Sequence, residues 1–173
     1  IQIIAKQLNG SVTFTAKPFL NDYGNSMHFH INFIPENLRN LDRYLLNIDK
    51  LAQNICYYML ETFLVFMPNS ADYLRMDKNF MTPINVSFGN NNRTVALRTP
   101  SLLPRRLEHR LATPLTNSYL AIFTILNSIY LGFTFSRSTD STNHIKKIYG
   151  NAFDPQYDLT PLPQSVEEAL KLF

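Results

Sequence analysis

The 173 residues are 45% hydrophobic and 17% charged, apolar enough to build a packed core and too apolar for a disordered chain. The formal net charge of +3 is mild, and basic residues are dispersed apart from Arg105-Arg106 and Lys146-Lys147, so no nucleic-acid surface is indicated. A single cysteine, Cys56, excludes a disulfide framework within the chain and fits a reducing compartment, so a cytoplasmic location is expected.

The sequence opens at Ile1 without a basic region followed by an apolar one, and it reads as an internal start with sequence upstream. Ile1 to Leu8 reads as the end of a helix, closed by Asn9-Gly10. Val12 to Lys17 reads as a short strand, Phe19 to Ser26 as a loop, and Met27 to Ile34 as a second strand closed by Pro35. From Asn40 to Met67 the apolar residues fall at helical spacing, over a length that predicts two helices or one with a break. Pro68 to Asn92 is an irregular stretch of the length that usually signals function.

Strand patterns return at Arg93 to Leu97 and Pro104 to Leu111. A helix is expected from Thr113-Pro114 through Leu131, with Gly132 as its stop. The apolar window Tyr119 to Phe135 is shorter than a membrane span and reads as a core helix. Ser136 to Thr142 is a polar loop, and Ile145 to Pro163 a connection containing Pro and Tyr. Ser165 with Glu168 forms a capping box that opens a last helix over Val166 to Phe173. Long helices between separated strands give an α+β class, with an antiparallel sheet floor flanked by helices.

Two strands carry the candidate chemistry. Along Arg105 to Leu111, alternation puts Arg106, Glu108 and Arg110 on one face and Leu107, His109 and Leu111 on the other. Along His28 to Phe33, His28, His30 and Asn32 share a face, with Phe29, Ile31 and Phe33 behind. Imidazole, carboxylate and guanidinium groups on one sheet face suit a metal ion and anionic ligands. The same His-x-His pair with a distant glutamate also admits a cupin-like metal site on a β-barrel.

Four strings, in order and in register, resemble the glutamine synthetase family. Thr13-Phe14-Thr15-Ala16-Lys17-Pro18, followed by Asp22 to His30, is similar to TFMxKP and DNGSGMHxHxS. Asn92 to Pro100 is similar to NRxAxIRIP. Arg105 to Arg110, then Pro114 and Asn117 to Ala121, is similar to RRIExRxPDPxANPYLA. Tyr157-Asp158-Leu159 and Leu162 to Leu170 resemble YDLPP and LPxSLxEAL.

The resemblance implies a single partial domain over residues 1–173, the C-terminal portion of that family's catalytic domain. It implies an ATP-dependent ligase that joins glutamate to ammonia, incomplete or poorly active alone. The alternatives are a γ-glutamyl amide ligase using an organic amine, or a non-catalytic assembly partner. His28 and Glu108 resemble ligands of a Mg²⁺ or Mn²⁺ ion that holds ATP phosphates. Arg93 and Arg106 resemble nucleotide-phosphate contacts, and His30 and Asn32 sit where the family has nucleotide contacts. Gly24, Arg98 and Arg110 resemble the residues that bind substrate glutamate, Arg98 and Arg110 also contacting the transferred phosphoryl group. Tyr157 falls where bacterial enzymes of the family carry an adenylylated tyrosine. The implied partners are small molecules and further copies of the chain, without nucleic acid or membrane.

The departures are as specific. Tyr23 stands where the family has an asparagine, and Asn25 and Ser26 replace the next Ser and Gly. Met81 falls where the family has a flap glutamate that accepts a proton from ammonium, and a thioether cannot act as a base.

Overall fold

The computed structural model describes residues 1–32, 41–134 and 145–173, with side chains 41–47 left aside. Among these residues five short strands form one sheet: β1 (Phe29–Ile31), β2 (Phe88–Asn90), β3 (Leu97–Thr99), β4 (Leu107–His109) and β5 (Lys147–Ile148). Their order is β1-β4-β3-β2-β5. The antiparallel floor expected for the site holds for β1 with β4 and β4 with β3. Beyond it, β2 pairs in parallel with both β3 and β5. The helices are α1 (Gln2–Gln7), α2 (Leu41–Tyr57), α3 (Met59–Phe66), α4 (Ser118–Thr134) and α5 (Val166–Leu172). The class is α+β, as expected, and among the described residues the strands are too few and short, set among helices, for the cupin-like barrel.

The core follows from the alternation. Leu97 and Leu107 point behind the sheet and are fully buried with Ile55, Met59, Phe63 and Phe66 of α2 and α3. Ala121, Ile125 and Ile129 of α4 join the same cluster. A smaller cluster of Val95, Ile148 and Ala152, with Tyr157 and Leu159 against it, packs beneath β5. The break foreseen between Asn40 and Met67 falls at Tyr58, whose carbonyl accepts from Thr62 Oγ1 at 2.7 Å.

Several boundaries differ from the expectation, each for a local reason. Val12 to Lys17 forms no strand; Asn25 ties it down as a loop, donating its N–H to the Ala16 carbonyl and its Nδ2 to that of Thr15. The strand expected at Arg93 to Leu97 begins only at Leu97. Before it, Asn92 Oδ1 accepts from Thr94 N–H and Oγ1 in an Asx-type turn, which takes these residues out of a ladder. Strands β2 and β5 lie in stretches read as irregular and connecting.

Helix α4 runs through Gly132 to Thr134. The glycine is not a stop: a Cβ there would meet Asn54 of α2 at 2.2 to 2.6 Å, so it allows the two helices to approach closely. At α5 the Ser165 hydroxyl accepts from Glu168 N–H, as foreseen, but Glu168 Oε2 reaches back to the Gln164 N–H. The start of the long helical region at Asn40, the end of the strand at Phe33 and Ile34 with Pro35, and the polar loop Ser136 to Thr142 lie outside the described residues.

Candidate functional site

The register of the sheet assembles the site. His30 on β1 pairs with Glu108 on β4, Glu108 with Arg98 on β3, and Arg98 with Gly89 on β2. Directly paired residues share a face, so this row crosses the sheet on the side opposite the helices. His28, two residues before His30, lies on that face too.

Glu108 is the centre. Its carboxylate is buried, with Oε2 accepting from Arg98 Nη1 at 2.7 Å and Oε1 lying 3.0 Å from His28 Nδ1. Arg110 Nε stands 3.6 Å from Oε1. Burial alone would raise the carboxyl pKa, but the hydrogen bonds from His28 and Arg98 and their charges outweigh it and bring the group down to about 2. Glu108 is therefore an anion at any ordinary pH. The other nitrogen of His28, Nε2, lies 3.0 Å from the Ser26 hydroxyl.

The remaining expected residues separate into two groups. Arg106 joins the face, its Nε donating to His30 Nδ1 at 3.1 Å, with His30 exposed and Arg106 half-buried. Asn32 and Arg93 are exposed at its margin. Arg98 and Arg110 are instead turned inward. Arg98 bridges Glu108 and Asn91, with its Nη2 2.6 Å from Asn91 Oδ1. Arg110 is buried and donates to the carbonyls of Arg93 and Val95, so it braces the turn before β3. Burial lowers its pKa, partly opposed by Glu108, while Arg98 and Arg93 push it further down.

Gly24 packs at the edge of this region, where a Cβ would meet the Ala16 carbonyl at 2.8 Å and Arg75 Cβ at 3.0 Å. Tyr157 lies away from the floor, its hydroxyl accepting from Gly150 N–H at 2.9 Å.

Three contributors were not singled out from sequence. Arg75 is buried and its Nη1 donates to the Leu111 carbonyl at 2.6 Å, securing the chain just past β4. Asn91, at φ 43°, aims its amide at Arg98. Ser26 orients His28. Ser26 stood within a quoted string as a departure from it, and Arg75 ends a stretch, Asn69 to Arg75, that keeps only the Tyr and Arg of the family's NSYKR; Asn91, beside the Asn92 string, gave no chemical sign, because only the β2–β3 turn brings it to Arg98.

The segment around Met81 packs on the loop that follows Pro18. Tyr23 and Phe80 meet edge to face at 5.7 Å, and Lys17 Nζ sits 3.6 Å above the Phe80 ring. Met81 follows at φ 59°, partly exposed.

The donors fit one edge of a divalent-cation site: an ionised carboxylate and an imidazole suit Mn²⁺, and Mg²⁺ with more oxygen. They do not complete one, since no group of three or more His, Cys, Asp or Glu side chains converges among the described residues. Among those residues, too, no helix is long and apolar enough to cross a membrane.

Residues 1–173 match the family model for the glutamine synthetase catalytic domain. Gamma-glutamylputrescine synthetase of Escherichia coli is 30% identical over 141 residues, covering 76% of this chain and 29% of that protein. Glutamine synthetase of Sulfolobus acidocaldarius is 27% identical over 184 residues, covering 96% and 38%. The solved structure of apo GmaS without ligand superposes with a TM-score of 0.76 at 21% identity, over 99% of this chain and 40% of that one, which shows a shared fold. The chain thus spans 29% and 38% of the length of these two curated relatives. With a match to the family's catalytic domain along its whole length, this chain belongs to the glutamine synthetase family.

Proposed function

We propose that the chain forms the metal- and carboxylate-facing part of an ATP-dependent ligase that joins glutamate to ammonia, and that these 173 residues turn over poorly alone. The observation that carries this reading is the buried, ionised Glu108 held between His28 and Arg98 on an open sheet face. In this reading Glu108 and His28 hold Mg²⁺ or Mn²⁺, and Arg93, Arg106, His30 and Asn32 take the nucleotide. Gly24, Arg98 and Arg110 serve the glutamate carboxylate, and the two arginines also serve the phosphoryl group. A bound divalent cation would supply charge that offsets the phosphate oxygens. The reaction takes place in the cytoplasm, consistent with a lone, buried, free Cys56.

The chemistry divides into two transfers. An oxygen of the glutamate side-chain carboxylate bonds to the γ-phosphorus of ATP, and ADP leaves. The amine nitrogen then bonds to the activated carbonyl carbon, phosphate leaves, and one proton must leave the nitrogen. Arginine suits the first transfer because its planar fork matches carboxylate and phosphate oxygens. The second lacks an agent at Met81, whose thioether takes no proton.

Incubation with ATP, Mg²⁺, glutamate and ammonia is expected to yield little glutamine. Robust turnover by the isolated chain refutes the incomplete-site reading.

A second reading replaces ammonia with an organic amine. Tyr23 and Met81 stand, by the resemblance, at positions where the family has an asparagine and a glutamate, so aromatic and thioether groups replace small polar and acidic ones, and the Escherichia coli relative is named gamma-glutamylputrescine synthetase. A panel of primary amines, followed by phosphate release, tests it. If no amine raises release above the ammonia control, this reading fails.

A further inference from the structure

Tyr157 and Asn92 lie off the floor of the site, yet the structure joins them to it. Asn92 is half-buried in the turn between β2 and β3. Its Oδ1 accepts from Thr94 N–H at 2.9 Å and from Thr94 Oγ1 at 2.7 Å, and its Nδ2 donates across to the Gly150 carbonyl at 2.6 Å. Thr94 Oγ1 in turn accepts from the Ala152 N–H at 2.8 Å. The Gly150 N–H donates to the Tyr157 hydroxyl at 2.9 Å. A Cβ on Gly150 would meet that hydroxyl at 2.5 Å, so Tyr157 closes on this backbone because the residue is a glycine. Beneath these bonds Val95 packs with Ile148 and Ala152, and Tyr157 lies against them.

The segment from Gly150 to Tyr157 is also held by its own bonds. Asp154 N–H donates to the Asn151 carbonyl at 3.0 Å, Asp154 Oδ1 accepts from Gln156 N–H at 3.0 Å, and Tyr157 N–H donates to the Asp154 carbonyl at 3.2 Å. The β2–β3 turn therefore has two sides. Asn92 and Thr94 reach this segment. Asn91 and the carbonyls of Arg93 and Val95 reach the arginines of the floor. Asn91 Oδ1 accepts from Arg98 Nη2 at 2.6 Å, and the two carbonyls accept from Arg110 Nη1. Arg93 itself stands exposed on the turn.

We propose that the segment Gly150 to Tyr157 is the positioning element for Arg93, Arg98 and Arg110, and that Asn92 is the positioning residue through which it acts. The inference rests on the reading above, in which Arg93 takes the nucleotide and Arg98 and Arg110 serve the glutamate carboxylate and the phosphoryl group. An arginine side chain is rich in rotamers, so a guanidinium aimed in advance binds an anion at a smaller entropic cost. Acceptors on the turn aim Arg98 and Arg110, and the turn carries Arg93. Its residues between Asn90 and Leu97 lie outside the strands and Asn91 sits at φ 43°, so bonds from outside the turn fix its shape. The crossing bonds join neutral groups, which holds the turn without placing a further charge beside the arginines.

Nuclear magnetic resonance of the 173-residue chain tests the proposal, with the arginine side-chain Nε–H signals as readout. Asn92→Ser keeps an oxygen for the Thr94 N–H but is too short for the Gly150 carbonyl. Tyr157→Phe removes the acceptor for the Gly150 N–H and leaves the turn's own residues untouched. Both variants should move the Arg98 and Arg110 signals while the amides of α2 and α3 stay in place. Both should weaken binding of Mg·ADP, titrated calorimetrically, roughly 3- to 30-fold. Gln156→Ala is the control, exposed in the same segment with its Nε2 on Asp154 Oδ2, and should change neither. In the unaltered chain the Gly150 and Ala152 amides should resist hydrogen exchange.

Four results overturn the proposal: arginine signals that neither variant moves, equal movement in Gln156→Ala, an affinity for Mg·ADP that neither variant lowers, or immediate exchange of the Gly150 and Ala152 amides. A chain that takes no Mg·ADP while its arginine signals respond sinks the nucleotide reading and leaves this inference standing. Binding of Mg·ADP with unresponsive arginines does the reverse.

Discussion

His28 Nδ1, just before β1, and Glu108 Oε1 on the adjacent antiparallel β4 lie 3.0 Å apart, although nearly half of the chain separates them in sequence. The contact rests on a carboxylate that three basic groups surround and that water hardly reaches.

Removing that charge is the sharpest test of the site. Glu108→Gln leaves Arg98 and Arg110 as neighbouring cations with no counter-ion, in surroundings where a broken buried pair costs about 3 kcal/mol. Urea unfolding should show that loss with an unchanged slope. The same variant should abolish Mn²⁺ binding followed by electron paramagnetic resonance, and retained binding would remove Glu108 from the metal proposal.

His109 sets an acid limit on stability. Its ring is fully buried against Phe66 at 4.2 Å, and neither ring nitrogen has a hydrogen-bond partner. Burial, and then the charge of His28, lower its pKa from 6.5 to about 3. Between those values the unfolded chain binds the proton and the folded chain does not, so stability falls as pH drops from 6.5 toward 3, by about 3 to 5 kcal/mol. Glu108 acts in the same direction over a lower window, from 4.5 down to about 2. His109→Leu should flatten thermal stability between pH 6.5 and 4.5 and leave the steeper loss below it. An unchanged pH profile would contradict this account.

Gly132 and Asn54 form a coupled pair. Gly132→Ala forces a methyl group into the Asn54 side chain and should cost about 1 to 3 kcal/mol. Asn54 is buried with both amide atoms unpartnered, so Asn54→Ala should cost little by itself. The double variant should then be more stable than Gly132→Ala alone, a coupling that a double-mutant cycle by chemical denaturation measures directly.

Ser165 closes the N-terminus of α5 by accepting from Glu168 N–H at 3.2 Å. Ser165→Ala should cost about 1 kcal/mol, measured as a shift of the urea midpoint. Because Glu168 also binds the Gln164 N–H, Glu168→Ala should cost a comparable amount rather than nothing.

What the amino-acid sequence settled unaided was local. The alternation along β1 and β4 put His28, His30 and the charged residues on one face and the apolar residues, with His109, on the other, because a strand's side chains repeat every two residues whatever pairs beside it. Helical spacing of 3.6 residues per turn located α2 and α3, and the Ser165 cap, a local hydrogen bond, located α5, while the four strings named the family that the match over residues 1–173 bears out. What only the tertiary structure decided was who meets whom. Strands β2 and β5, in stretches read as irregular and connecting, are held in the sheet by the neighbours that pair with them. Gly132 reads as a stop in sequence and proves to be a contact point once α2 lies across it. The hydrogen bonds of Arg110 to the backbone at Arg93 and Val95, and the aim of Asn91 at Arg98, depend on how the chain turns back between strands. Periodicity records which way a side chain points, while its partner is set by long-range packing that no single stretch encodes.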